Sequence, residues 1–137
     1  MRPHVVARIV EKDKITDLTP QVEAQVISPE VAAQVTDMLV YAVDTVLTEA
    51  KIPDYQVAGK SGTSQVPVLG GYDPNDIIAS FAGYAPASDP KFSILVVIDR
   101  PQKGSWGLTV AAPAFREIVQ QLFTLLAVPP SSVHASM

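Results

Sequence analysis

The 137-residue sequence has no cysteine, which excludes a disulfide framework and thiolate metal ligands. Histidine is nearly as scarce. His4 and His134 stand at opposite ends of the chain, so no metal site is expected. No run of about 18 apolar residues occurs, and Met1-Arg2-Pro3-His4 lacks the apolar core of a signal peptide. Neither a membrane span nor a leader is therefore predicted. Basic residues are outnumbered, 10 Lys and Arg against 14 Asp and Glu, and no basic stripe is present to neutralise phosphates. A nucleic-acid partner is not expected. What remains is an ordinary globular balance, 47% hydrophobic and 18% charged, on a chain long enough to bury one core.

The pattern of apolar residues predicts an order of elements. His4 to Val10 is short and β-branched and suits a strand, with a turn at Glu11 to Lys14 and an irregular extended piece over Ile15 to Val26. A helix start follows: Ser28 caps, Pro29 takes the first helical position and Glu30 complements the dipole. Val31, Val35, Met38, Leu39, Ala42, Val43, Val46 and Leu47 continue at helical spacing, so a helix is predicted from Pro29 to Ala50. A strand is predicted through Tyr55 to Gln65, a loop over Val68 to Asp76, then strands at Ile77 to Ala85 and Phe92 to Asp99. A loop carrying Trp106, the single tryptophan, precedes a second helix over Ala112 to Leu126 with a stripe of Phe115, Ile118, Val119, Leu122, Phe123 and Leu126. Short connections force antiparallel pairing, and two amphipathic helices need a sheet to cover. The fold class is α+β, with 1–127 as the domain and 128–137 as a disordered tail.

One segment carries chemistry: Gly59-Lys60-Ser61-Gly62-Thr63-Ser64. A phosphate-binding loop would need a glycine where Asp54 stands, and a helix where Pro67, Gly70 and Gly71 follow. A Lys-Ser-Gly strand edge fits better. The Lys60 ammonium offers positive potential to an anionic group and to a nearby serine. The Ser61 and Thr63 hydroxyls can donate to a carboxylate, and Gly62 lets an extended peptide lie along the strand. A polar surface hairpin with an incidental lysine remains open on the tripeptide alone.

The surroundings narrow the choice. Val57 to Gln65 resembles the third active-site motif of class B penicillin-binding proteins. Ser80-Phe81-Ala82-Gly83-Tyr84-Ala85-Pro86, Asp89-Pro90 and Phe92 to Pro101 resemble the two strands that follow it. Gly107 and Ala111 to Phe115 resemble the start of that family's last helix. Arg2 to Val6 and Val26 to Glu30 are similar to the pieces that precede the motif. The resemblance runs to about Ala127.

The resemblance implies a serine β-lactamase-like transpeptidase fold and a role in peptidoglycan D,D-transpeptidation. In that role Lys60 holds the network around a nucleophilic serine, and the Thr63 backbone N–H serves the oxyanion hole. Ser61, Gly62 and Thr63 bind the carboxylate end of a D-Ala-D-Ala stem peptide or a β-lactam, and Gln65 sits at the mouth. No cofactor is implied. The family also needs a helical Ser-x-x-Lys and a Ser-x-Asn. The lone asparagine, Asn75, follows Asp73-Pro74, and Ser88-Asp89-Pro90-Lys91 falls at a predicted hairpin tip. The nucleophile is therefore expected in an upstream half, together with a membrane anchor on the extracytoplasmic side. That half, or another copy of this chain, is an expected partner through exposed helix and sheet surfaces. Two other readings share parts of the pattern: a β-lactamase or carboxypeptidase relative, and a non-catalytic module that binds peptide along a sheet edge.

Overall fold

The computed structural model describes residue 2 and residues 5–102, 104 and 106–131. The chain divides into two compact units, Met1–Ala32 and Ala33–Met137, with the first helix crossing the boundary.

In the first unit, β1 (Arg8–Glu11) and β2 (Lys14–Asp17) form an antiparallel hairpin. Lys12 turns it in the left-handed region at φ 47°, and an exposed Arg8–Asp17 ion pair of 2.5 Å joins its ends. A surface pair of this kind contributes little. The strand expected at His4 to Val10 thus begins only at Arg8, and most of Ile15 to Val26 pairs with nothing beyond Asp17 in the ladder. His4 lies outside the described residues.

Helix α1 (Pro29–Thr45) starts as its sequence predicts: Ser28 Oγ accepts the Val31 N–H at 3.3 Å. The Ser28 side chain, and then the backbone of Glu30 itself, hold the Glu30 carboxyl below the usual glutamate range. A carboxyl depressed in the folded state stabilises above its unfolded pKa, and that contribution is lost as pH falls through the folded value. The helix ends at Thr45 rather than Ala50. Val46 and Leu47 both donate to Ala42 O, and the chain tightens into a 3-10 turn at Thr48–Ala50. The tighter path buries Leu47 and Ala50. Along α1 only Val43 is buried, while Val35, Met38 and Tyr41 are exposed.

The second unit is built on an antiparallel sheet in the order β3 (Ala58–Val68), β4 (Gly71–Ala85), β5 (Phe92–Asp99). The loop expected over Val68 to Asp76 is instead the end of a long hairpin. Leu69 and Gly70 form its turn, with Gly70 at φ 90°. The turn-forming residues further on fill an irregularity in β4. Pairing passes from Pro67↔Tyr72 to Gln65↔Ile77, and Asp73 Oδ1 accepts the N–H groups of Asn75 and Asp76 there. Proline-rich chemistry therefore produced a bulge rather than a loop.

Side chains alternate across the sheet. Ala79, Phe81 and Ala85 of β4 and Phe92, Ile94, Val96 and Ile98 of β5 face the core against helix α2 (Gly107–Leu125). Phe81 meets Phe115 at 4.8 Å between ring centres. Helix α2 begins earlier than expected. Residues 107–112 are helical although Pro113 lacks the N–H to continue the ladder, because Gly107, Ala111 and Ala112 are buried on the sheet. At its other end Tyr55 stacks on Phe123 at 3.8 Å and donates to Val128 O at 2.8 Å. Ser131 bonds back to Asp54 O and Gln56 N. Residues 128–131, expected to be disordered, are thus tied to the body. Residues 132–137 lie outside the described residues.

Two predictions follow from these contacts. A Cβ at Gly83 would sit 2.8 Å from Phe115 Cζ and 2.9 Å from Ala58 O, whereas one at Gly71 meets nothing within 4 Å. Gly83→Ala should cost about 1–3 kcal/mol in urea unfolding, and Gly71→Ala far less. For Glu30, Ser28→Ala should raise its titration midpoint toward the ordinary range in a carboxyl-detected NMR titration. An unchanged midpoint would show that the Ser28 side chain does not hold the Glu30 carboxyl down.

Candidate active-site strand

The Lys-Ser-Gly-Thr segment lies on β3, one of the two edge strands of the three-stranded sheet. Among the described residues it pairs within the sheet with β4 alone, in the register Lys60↔Ala82, Ser61↔Phe81, Gly62↔Ser80, Thr63↔Ala79. Along an antiparallel edge strand, alternate backbone groups point away from the single neighbour and are free to pair with an extended ligand.

The sequence holds each member differently. Lys60 is exposed, and its ammonium donates to Ser61 O at 2.8 Å and reaches Ser61 Oγ at 3.5 Å. A cation and a hydroxyl thus stand together at the strand's surface. Gly62 lies over Ser80: a Cβ there would come within 2.6 Å of Ser80 Oγ. Thr63 is engaged from the other side. Its Oγ1 accepts the N–H of Gly107, the first residue of α2, at 3.0 Å. Gln65 is exposed two residues further, beside the point where the register shifts. The five residues singled out from the sequence therefore share one strand edge. Lys60 and Ser61 touch each other, whereas Thr63 is bound to the helix.

Ser88-Asp89-Pro90-Lys91 falls in the bend between β4 and β5. Lys91 there is paired with Asp89 at 2.5 Å, and no helix brings it over Ser88. This agrees with reading the match as a hairpin tip. Sequence reasoning named Gly107 and Ser80 only as parts of strand and helix patterns and missed that they brace the candidate strand. A small residue opening a helix that has no capping side chain in sequence was the available signal.

Comparisons with known proteins show the family and the fold. The family model described as the penicillin binding protein transpeptidase domain matches residues 1–120. The probable peptidoglycan D,D-transpeptidase PbpC of Pseudomonas aeruginosa is 36% identical over 115 residues, 82% of this chain and 20% of that protein. Among solved structures, the apo transpeptidase domain of penicillin-binding protein 3 from Burkholderia pseudomallei superposes with a TM-score of 0.74 at 37% identity. The match covers 86% of this chain and 37% of that one. Penicillin-binding protein 3 from Mycobacterium tuberculosis, complexed with ampicillin, gives a TM-score of 0.79 at 30% identity over 92% of this chain and 31% of that one. The chain belongs to the penicillin-binding-protein transpeptidase family, with relatives of the class B kind. It spans about a fifth of the length of the curated relative it matches over 115 residues.

Because the ammonium of Lys60 also contacts the Ser61 carbonyl, Ser61→Ala should leave the fold almost untouched, within about 0.5 kcal/mol by thermal unfolding. A larger loss would show that Ser61 is structural.

Proposed function

We propose that this chain supplies the substrate-binding wall of a peptidoglycan D,D-transpeptidase, an acyl-transfer enzyme whose serine nucleophile is carried by an upstream segment. The observation that carries the reading is the placement of Lys60, Ser61, Gly62 and Thr63 in sequence on an edge strand. Kinship with a protein crystallised with ampicillin supports it.

The chemistry runs from the residues. The Lys60 ammonium sets a positive potential beside the nucleophile and the anionic ligand. The Ser61 and Thr63 hydroxyls donate to the carboxylate of a D-Ala-D-Ala peptide or of a β-lactam. Gly62 has no side chain to hold the ligand backbone off the strand. The Thr63 N–H provides one of two donors to the oxyanion that forms when the serine attacks the carbonyl. A donor of this kind is worth about 3 kcal/mol to the transition state. Gln65, further along the edge, flanks the mouth. Among the described residues no helix is long and apolar enough to cross a membrane. The reading puts the chain on the extracytoplasmic side, with its anchor in the upstream segment.

A fluorescent penicillin tests the proposal. The chain alone should give no covalent adduct by mass spectrometry. With the upstream segment present, an adduct should form on that segment's serine. Lys60→Ala should slow its formation at least about tenfold, the discrimination of one charged contact. An adduct on Ser61 or Ser88 of the chain alone would overturn the assignment. Reversible peptide binding without acylation in the assembled protein would favour the non-catalytic module.

A further inference from the structure

We propose that Gly107 is a positioning residue for the carboxylate subsite: its backbone N–H orients the Thr63 hydroxyl, and only glycine can bring it there. The inference rests on the reading of β3 as the substrate strand and adds a residue outside that strand.

Three observations meet at this point. The first is the 3.0 Å bond from Gly107 N–H to Thr63 Oγ1. The opening N–H groups of a helix have no partner within the helix. The residue before α2, Trp106, makes no side-chain cap bond. Thr63, 44 residues earlier in the chain, therefore acts as a cap for α2. Secondly, Gly107 is buried, and a Cβ on it would overlap the carbonyl oxygens of both Gly62 and Ser80. Those atoms are backbone and belong to the two paired strands, so they have no rotamer by which to retreat. Any other residue would lift the helix from β3 and β4 or push the strands away. The third is the contrast with Ser61. Among the described residues, the hydrogen bond at its Oγ comes from the flexible Lys60 ammonium and is long, at 3.5 Å.

The consequence concerns direction. A threonine hydroxyl has one proton and two lone pairs. With a lone pair engaged by Gly107, rotation about the Thr63 side chain is restricted and the proton is left pointing elsewhere as a donor. A carboxylate, which only accepts, requires that polarity. Of the two hydroxyls assigned to the carboxylate, Thr63 is thus set in advance by the Gly107 backbone, and Ser61 adapts with Lys60. The ligand class is an anionic acyl donor whose carboxylate binds beside Thr63.

The test uses the protein that carries this chain together with the upstream serine. Acylation is followed with a penicillin and with the same penicillin esterified at its carboxylate, and exchange of the Gly107 amide is followed by NMR. Thr63→Ser keeps the acceptor and should stay within about threefold of the wild type on both counts. Thr63→Val is nearly isosteric and lacks the hydroxyl. It should deprotect the Gly107 amide and slow acylation by the free acid about 10- to 100-fold, as a loss of half-saturation rather than of the limiting rate. The ester should change by less than about threefold. Gly107→Ala should follow Thr63→Val, and if it fails to fold, the two Thr63 variants still decide. A Gly107 amide equally protected in Thr63→Val, or a folded Gly107→Ala acylated at the wild-type rate, overturns the positioning role. No adduct on the wild-type protein, with an amide that still depends on Thr63, overturns the substrate reading instead and leaves the bond a structural one.

Discussion

Helix α2 can lie close to the sheet because two residues facing each other in it have no side chain. Gly59 and Gly83 are directly opposed in the β3–β4 register. A Cβ on Gly59 would strike the Phe81 ring at 2.6 Å, and one on Gly83 would strike Phe115. With both absent, the two phenyl rings meet at the centre of the unit, each fully buried. Burial of such a ring contributes about 1.5–3 kcal/mol. The start of α2 then arrives beside Gly62 and Ser80, and its first N–H reaches Thr63. The placement of the candidate strand is thus a consequence of packing several residues away.

One side of β3 is braced and the other is open. Its inner side rests on β4 and α2, while Lys60, Thr63, Ser64 and Gln65 are exposed. A strand that binds a ligand by main-chain hydrogen bonds needs this combination: a rigid backbone for register and an unpaired edge for the guest. Other surfaces are bare without such chemistry. Leu95 and Val97 of β5 and Met38 and Tyr41 of α1 are exposed apolar side chains.

Much of this was legible in the sequence. The alternation of Phe92 to Asp99, the stripe from Phe115 to Phe123 and the cap at Ser28 each announce their element, because each is local in sequence. The strand bearing Lys60 to Thr63 was placed by an ordered set of motifs, which the family match over residues 1–120 supports. What was illegible depends on partners distant in sequence. Pro67, Pro74 and Asn75 signal a break in pairing, and only the register shows that the break is a bulge within a hairpin. The last helix was expected from Ala112, but it starts at Gly107, with Gly107, Ala111 and Ala112 buried. Val128 to Ser131 look like a tail until Tyr55, Asp54 and Gln56 are brought beside them. Gly107 reads as the approach to the last helix, and its bond to Thr63 shows only in the fold.

The central claim is that the outer edge of β3 receives the acyl donor. A crystal structure of the assembled protein acylated by a β-lactam tests it most directly. The account predicts the ligand carboxylate within hydrogen-bond distance of the Ser61 and Thr63 hydroxyls, and its former lactam carbonyl oxygen on the Thr63 N–H. A covalent ligand seated away from β3, with these groups still facing solvent, would contradict it.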